Sequence, residues 1–215
     1  MYTLYYAPAT VSMVVHHVLV ELEAHGVTHE LRLVDIEAGA HKGQDYLRLN
    51  PNGLVPTLVV DGLHPVYEAA AITMFLADRH PEAKLAPPAN DTLARSTYLQ
   101  WMFHLANTLQ PAFRLWFYPK DLPHVDHEAV KRSVQAQIEA VWDRVDSHLA
   151  ATSSPYMLGD DVSALDLYLM MLIRGSRNMP KPATAWPRLE VLANRIKIRP
   201  SWKVMNDAEG LTDWV

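Results

Sequence analysis

The run of apolar and aromatic positions from Tyr2 to Tyr6 reads as a short strand. After a turn carrying Pro8, apolar residues recur at Val11, Val14, Val15, Val18 and Leu22, the spacing of one buried helix face. Gly26 ends that helix, and "THELRLVD" (Thr28–Asp35) alternates apolar and polar side chains. "HKGQDYLRL" reads as a helix closing at the turn sequence "NPNG". "VPTLVV" and "HPVY" are β-rich runs on either side of Asp61-Gly62, a hairpin signal. "EAAAITMFLADRH" is helical again, with Ile72, Phe75, Leu76 and Arg79 along one side. The order βαβ, α, ββ, α predicts a small mixed sheet with helices against it.

"HPEAKLAPPAND" (His80–Asp91) brings in three prolines and reads as a linker. No convincing strand follows. Thr92 to about Tyr118 and His124 to about Ala151 are long helical patterns divided by "YPKDLP". Trp101, Phe103, Leu105, Leu109, Phe113 and Trp116 load the first heavily, which suits a thick core or a second subunit. In "VSALDLYLMMLIRG", Ser163 and Asp166 have the spacing of a capping box, and Val162 and Leu167 that of a hydrophobic staple. The helix they open is apolar nearly all round, so it belongs in the centre of the second domain.

Composition narrows the function. The chain is 215 residues long with 49% apolar and 20% charged residues, an ordinary globular balance. The net charge of −5 is confined to residues 1–80, which hold four Lys/Arg against nine Asp/Glu; the remainder balances. No basic face is present to release counterions from phosphates, so a nucleic-acid partner is not expected. No apolar run long enough to span a membrane and no secretory signal pattern is visible, which predicts a protein without membrane insertion. There is no cysteine, hence no disulfide and no protein thiol nucleophile, as in a reducing cytoplasm.

Candidate chemistry gathers at the first strand–helix junction. Thr10 and Ser12 stand where a helix leaves its first amides unpaired, as caps or as holders of something reactive. His16-His17, His104 and His124-x-x-His127 form no compact ligand set, so no metal is expected and these histidines read as surface or partly buried. No glycine-rich phosphate loop is present.

The segments "LYYAPATVSM", "GAHKGQDYLRLNPNGLVPTLVVDG", "YEAAAITMFLADRHP" and "GDDVSALDLYL", in this order and spacing, resemble the cytosolic glutathione transferases, particularly bacterial ones. The resemblance covers nearly the whole chain. It implies an α/β thioredoxin-like domain over 1–80, a linker over 81–90 and an all-α substrate and dimerisation domain over 91–215. It also implies a homodimer, a cytoplasmic location and glutathione as co-substrate. By the same resemblance Val55-Pro56 is the bond kept cis, and the Val55 backbone pairs with the cysteinyl unit of glutathione. Glu68 and Ala69, opening the third helix, meet its γ-glutamyl end. His41 and Lys42 approach its glycine carboxylate, and Asn52 and Leu54 flank the same loop. Arg114, Trp116 and Phe117 border the electrophile pocket.

Two departures stand out. Many relatives carry a serine at the position of Ala69, whose hydroxyl assists the ligand carboxylate. Relatives with "YYSPGACS" carry a cysteine where this chain has Val11, so a mixed disulfide with glutathione is excluded. The histidine–lysine pair that those relatives hold on the fourth helix corresponds here to Gln110 and Pro111.

A transferase must present glutathione as the thiolate, and a free thiol of pKa about 8.5 is mostly protonated at neutral pH. A hydroxyl donor to the thiolate, worth about 1.5–3 kcal/mol, lowers that pKa by about one to two units. Ser12 is the first choice of donor, Thr10 the second, and Tyr5 or Tyr6 the third. The expected function is conjugation of glutathione thiolate to small hydrophobic electrophiles. The alternatives are a glutathione-dependent isomerase or lyase, with Arg114 as anion-binding group, and a weakly catalytic transferase-like binding or regulatory protein.

Overall fold

The structure, a computed structural model, describes residues 1–214. Packing divides the chain into two compact units. The first comprises Met1–Pro88 together with the segment from Lys197 onward, and the second comprises Ala89–Ile196. The C-terminal segment thus packs with the N-terminal unit, unlike the sequence expectation of one helical body over 91–215. The reason is visible in its contacts. Arg199 makes a bidentate ion pair with Glu21 at 2.8 and 2.9 Å, and the Trp202 ring packs 5.6 Å from that of His17.

The first unit is built on a four-stranded sheet in the order β2-β1-β3-β4. β1 (Tyr2–Tyr6) runs parallel to β2 (His29–Leu33) and antiparallel to β3 (Thr57–Val60), which pairs with β4 (His64–Tyr67). Leu4 sits at the centre, opposite Leu31 and Leu58, and is fully buried. The β3–β4 connection is Asp61-Gly62-Leu63; the expected Asp61-Gly62 are both left-handed, with φ of 52° and 71°, and the Leu63 amide donates to the Val60 carbonyl at 3.1 Å.

Three helices of the first unit follow the chain: α1 (Ser12–Glu23), α2 (Gln44–Leu47) and α3 (Ala69–Arg79). α1 is buried well beyond one face. His16 and His17 are each 1% exposed, which corrects the expectation of surface or partly buried histidines. Ser201, Trp202 and Glu209 of the C-terminal segment cover them, together with Tyr6 and His29 of the sheet, whose ring centres lie 5.8 and 6.0 Å from that of His16.

The second unit is helical. α4 (Thr92–His104) passes through a π-helical turn at Leu105–Leu109 into α5 (Gln110–Phe117). The single long helix expected over this stretch is therefore interrupted where Pro111 removes a backbone donor. α6 (His127–Thr152) starts three residues later than expected because Asp126 caps it, accepting from the Glu128 and Ala129 amides at 3.0 and 3.1 Å. α7 (Ala164–Gly175) is buried from Ala164 to Arg174, as its all-round apolar pattern predicts. The capping box is present, and Asp166 accepts from the Ser163 N–H and O–H at 2.8 and 2.7 Å. Asp166 also holds the Met157 amide at 2.8 Å. α8 (Pro187–Lys197) crosses the division and α9 (Pro200–Ala208) belongs to the first unit. No helix among the described residues is long and apolar enough to cross a membrane.

Candidate functional site

The β1–α1 junction turns at Ala9, whose φ of 58° is left-handed, and enters the helix through Val11, already in helical conformation. Neither hydroxyl caps α1 in the usual way. Ser12 instead reaches back: its Oγ donates to the Ala7 carbonyl at 3.0 Å and accepts from the Ala7 amide at 3.2 Å. Thr10 Oγ1 donates to the same carbonyl at 2.7 Å, lies 2.9 Å from Ser12 Oγ and accepts from the Ser12 amide at 3.3 Å.

Burial separates the two hydroxyls. Ser12 is 0% exposed, whereas Thr10 is half-buried. The sequence favours Ser12 as the thiol's partner, but in the fold Ser12 is fully enclosed and Thr10 is the less buried of the two hydroxyls. Thr10 can also turn its proton outward at little cost, because Ser12 still satisfies the Ala7 carbonyl. Tyr6 is buried beside His16, and burial together with the Glu209 carboxylate pushes its phenol up, keeping it protonated. Tyr5 packs edge-on against Tyr46, ring centres 6.1 Å apart.

The second wall of the site is the loop Asn50–Pro56, in which the Val55-Pro56 bond is cis. Side chains brace this loop from below. Buried Asn50 donates to the Leu54 carbonyl at 2.8 Å and accepts from the Asn52 amide at 3.1 Å. Tyr46 Oη donates to the Leu54 carbonyl at 2.7 Å and lies 2.9 Å from Thr57 Oγ1. Lys42 Nζ donates to the Gly53 carbonyl at 2.9 Å, so this ammonium holds the loop. Gly53 has φ +58°, and a Cβ there would lie 2.9 Å from the His41 carbonyl oxygen. The glycine of "NPNG" is therefore required by close approach as well as by its conformation. Asn52 and Leu54 are exposed, and His41 is half-buried with its Nδ1 enclosed and unpaired.

The third wall is the start of α3. Glu68 precedes it with φ 74° and ψ 110°, an unfavourable backbone for a residue with a Cβ, and its carboxylate is exposed. Ala69 is 3% exposed and offers no hydroxyl, so the donors here are the first-turn amides of the helix.

Arg114, Trp116 and Phe117 lie on α5 in the second unit. The Arg114 guanidinium is engaged by Asp121, Nε to Oδ2 2.8 Å, and lies 4.3 Å from the Tyr118 ring centre. Trp116 and Phe117 meet edge to face at 5.1 Å. No group of three or more metal-ligating side chains that could hold an ion occurs among the described residues.

Residues that sequence reasoning did not single out carry much of this geometry. Asn50 and Tyr46 had a local signal, since both lie in or beside the turn motif. Glu209, which holds the Ala9 amide at 3.1 Å, had none.

The first unit thus brings together a strand–turn–helix with paired hydroxyls, a cis-proline loop and a helix start behind an exposed carboxylate. Comparison with known proteins gives the family. Residues 11–79 match the glutathione S-transferase N-terminal domain, and residues 107–203 match the C-terminal domain. The chain is 28% identical to glutathione S-transferase GstA of Escherichia coli O157:H7 over 97% of its length and 98% of that protein's. Among solved structures, a glutathione transferase of Methylococcus capsulatus shares 31% identity with TM-score 0.84, covering 99% of this chain and 100% of that one. A glutathione transferase homologue from Sulfitobacter, solved with bound glutathione, shares 26% identity with TM-score 0.86 over 99% of each chain. The chain belongs to the cytosolic glutathione transferase family, and its enzyme class is transferase.

Proposed function

We propose that this transferase binds glutathione against the first unit and adds its thiolate to small hydrophobic electrophiles, with Thr10 donating to the sulfur. The observation that carries the reading is the pair of hydroxyls at the β1–α1 junction, one half-exposed and the other fully buried. The cysteinyl unit pairs with the Val55 backbone as an added strand. The γ-glutamyl carboxylate takes the first amides of α3, and the exposed Glu68 carboxylate faces the ligand's ammonium. His41 and Asn52 lie toward the glycine end.

In the reaction the thiol proton leaves to solvent and the thiolate pair forms the new carbon–sulfur bond. The leaving group departs with its own bonding pair. A Thr10 hydroxyl directed at the sulfur, worth about 1.5–3 kcal/mol, moves the thiol pKa from about 8.5 to about 6.5–7.5. The positive end of α1 adds to this. Arg114, Trp116 and Phe117 are the residues we assign to electrophile choice. A homodimer and a cytoplasmic location complete the proposal, supported by family membership. The engagement of Arg114 by Asp121 weighs against the isomerase or lyase reading, which needs that guanidinium for an anion.

Thr10→Val and Ser12→Ala separate the two hydroxyls. In aryl-halide conjugation, Thr10→Val is expected to move the acid limb of the kcat/KM profile up by about one to two pH units. Ser12→Ala is expected to lower stability with a smaller shift. A Thr10→Val enzyme with an unmoved profile removes Thr10 from thiol activation. A wild type that glutathione does not stabilise thermally refutes the site.

A further inference from the structure

Glu209 is the last helical cap of the first unit's C-terminal segment, yet its carboxylate lies beneath the β1–α1 junction. The side chain is 0% exposed. One oxygen, Oε1, lies 2.9 Å from Nδ1 of the equally buried His16, and the other, Oε2, accepts the Ala9 amide at 3.1 Å. Ala9 is the left-handed residue immediately before Thr10. A residue with a Cβ leaves that conformation readily unless something holds it, and no side chain of the junction reaches the Ala9 amide: Thr10 and Ser12 both spend their bonds on Ala7.

We propose that Glu209 is a positioning residue for thiol activation: by fixing the Ala9 amide it sets the direction in which Thr10 presents its hydroxyl. This rests on the reading of Thr10 as the thiolate's donor. The carboxylate acts through reach, by holding a backbone amide, while its other oxygen accepts from His16 Nδ1. The segment that delivers it is itself anchored on α1. Arg199 and Ser201 both bond Glu21, and His17 Nε2 lies 3.0 Å from Ser201 Oγ. A contact two hundred residues away along the chain is in this way made as definite as a local turn.

Two conservative variants divide reach from charge. Glu209→Asp keeps the charge and withdraws it by one methylene; Glu209→Gln keeps the reach and an oxygen for the Ala9 amide, with its NH2 group paired to His16 Nδ1 once that imidazole takes the Nε2–H tautomer. The readouts are the pH profile of kcat/KM for aryl-halide conjugation and the ultraviolet absorbance of bound glutathione thiolate against pH. Glu209→Asp is expected to raise the bound thiol's apparent pKa by about 0.5–1 unit, hence to cost about three- to tenfold in thiolate below that pKa, with the KM for glutathione within about twofold. Glu209→Gln is expected to stay within about 0.2 unit of wild type. If neither variant moves the profile of an active enzyme, or if Gln moves it as far as Asp, positioning by Glu209 is overturned. The wild-type Ala9 amide supplies a test that needs no variant. It is expected to resist hydrogen exchange, and exchange at the free-peptide rate overturns the proposal. A wild type with neither glutathione binding nor conjugation is a different result, overturning the transferase reading together with this inference.

Discussion

Replacing Gly53 by alanine tests whether the glutathione loop is held as tightly as its contacts state. The residue has φ +58°, where a Cβ costs about 1–2 kcal/mol. Its Cβ would also meet the His41 carbonyl at 2.9 Å, Lys42 Nζ at 3.0 Å and Leu47 Cδ2 at 3.1 Å. The lysine end can swing aside, but the carbonyl belongs to the backbone and must move with its chain. Overpacking of that kind adds about 1–3 kcal/mol, so the total for Gly53→Ala is about 2–5 kcal/mol. Gly62→Ala is the control. It has φ +71° and nothing within 4 Å of the added carbon, so it should lose only the conformational part, about 1–2 kcal/mol. Urea unfolding of both variants at one pH measures the difference. Thermal stabilisation by glutathione then reports the site, since stabilisation by a ligand of the folded state tracks ligand concentration over Kd. Gly53→Ala should lose much of that stabilisation and Gly62→Ala should keep it. If Gly53→Ala is no less stable than Gly62→Ala, the close approach of the two loop segments is refuted.

Burial pushes the His17 imidazole down to about 4, while hydrogen bonds from Arg199 and Ser201 outweigh burial at Glu21 and hold its carboxyl below the usual range. Both shifts act in one direction. Neutral His17 contributes fully above pH about 6.5, and about 3 kcal/mol is lost as pH falls through about 4, whereas the ionised Glu21 keeps its contribution down to the ordinary carboxylate range and loses it only below that. Unfolding free energies measured across that range should fall in wild type, with a shallower slope in His17→Gln. Asn50→Ala strips partners from the Leu54 carbonyl and the Asn52 amide; it should cost about 1–3 kcal/mol in urea unfolding and weaken glutathione's thermal stabilisation. Asp166→Ala orphans donors on Ser163 and the Met157 amide and should cost about 2–4 kcal/mol, against about 1 kcal/mol for Ser163→Ala, both read from chemical denaturation.

What the sequence reveals and what it hides follow from the range of the forces concerned. The strands, the Asp61-Gly62 turn and the Ser163–Asp166 box were legible because each is decided within a few residues, by alternation, by φ or by capping. The interruption of the fourth helix was less so: Pro111 marks a missing donor, but the chain relieves it by a π-helical turn that begins six residues earlier at Leu105. The burial of the α1 histidines is hidden from the sequence for a different reason. A histidine on a helix is polar by type, and contacts distant in sequence, from Tyr6 and His29 of the sheet and from Ser201, Trp202 and Glu209, make His16 and His17 interior. The same missing information led the C-terminal segment to be placed with the helical unit, since an amphipathic helix does not say which body covers its apolar face.

The two hydroxyls make the point for function. Residue type assigned a hydroxyl chemistry to the β1–α1 junction, and that chemistry holds equally for Thr10 and Ser12. Which one can meet a ligand is decided by burial, and burial here follows from the direction in which the chain leaves Ala9. That direction depends on an amide held by a carboxylate from the far end of the chain. The two departures from the family pattern then fall into place by the same reasoning. Val11 contributes helical backbone and Ala69 a buried methyl, so neither can supply a donor from its side chain. In the proposed site the burden of holding a thiolate and a carboxylate passes to Thr10 and to backbone amides at two helix starts. Backbone donors act only where the backbone is fixed, which is why the braces at Asn50, Tyr46, Lys42 and Glu209 matter more to this enzyme than the identities of the two residues that differ.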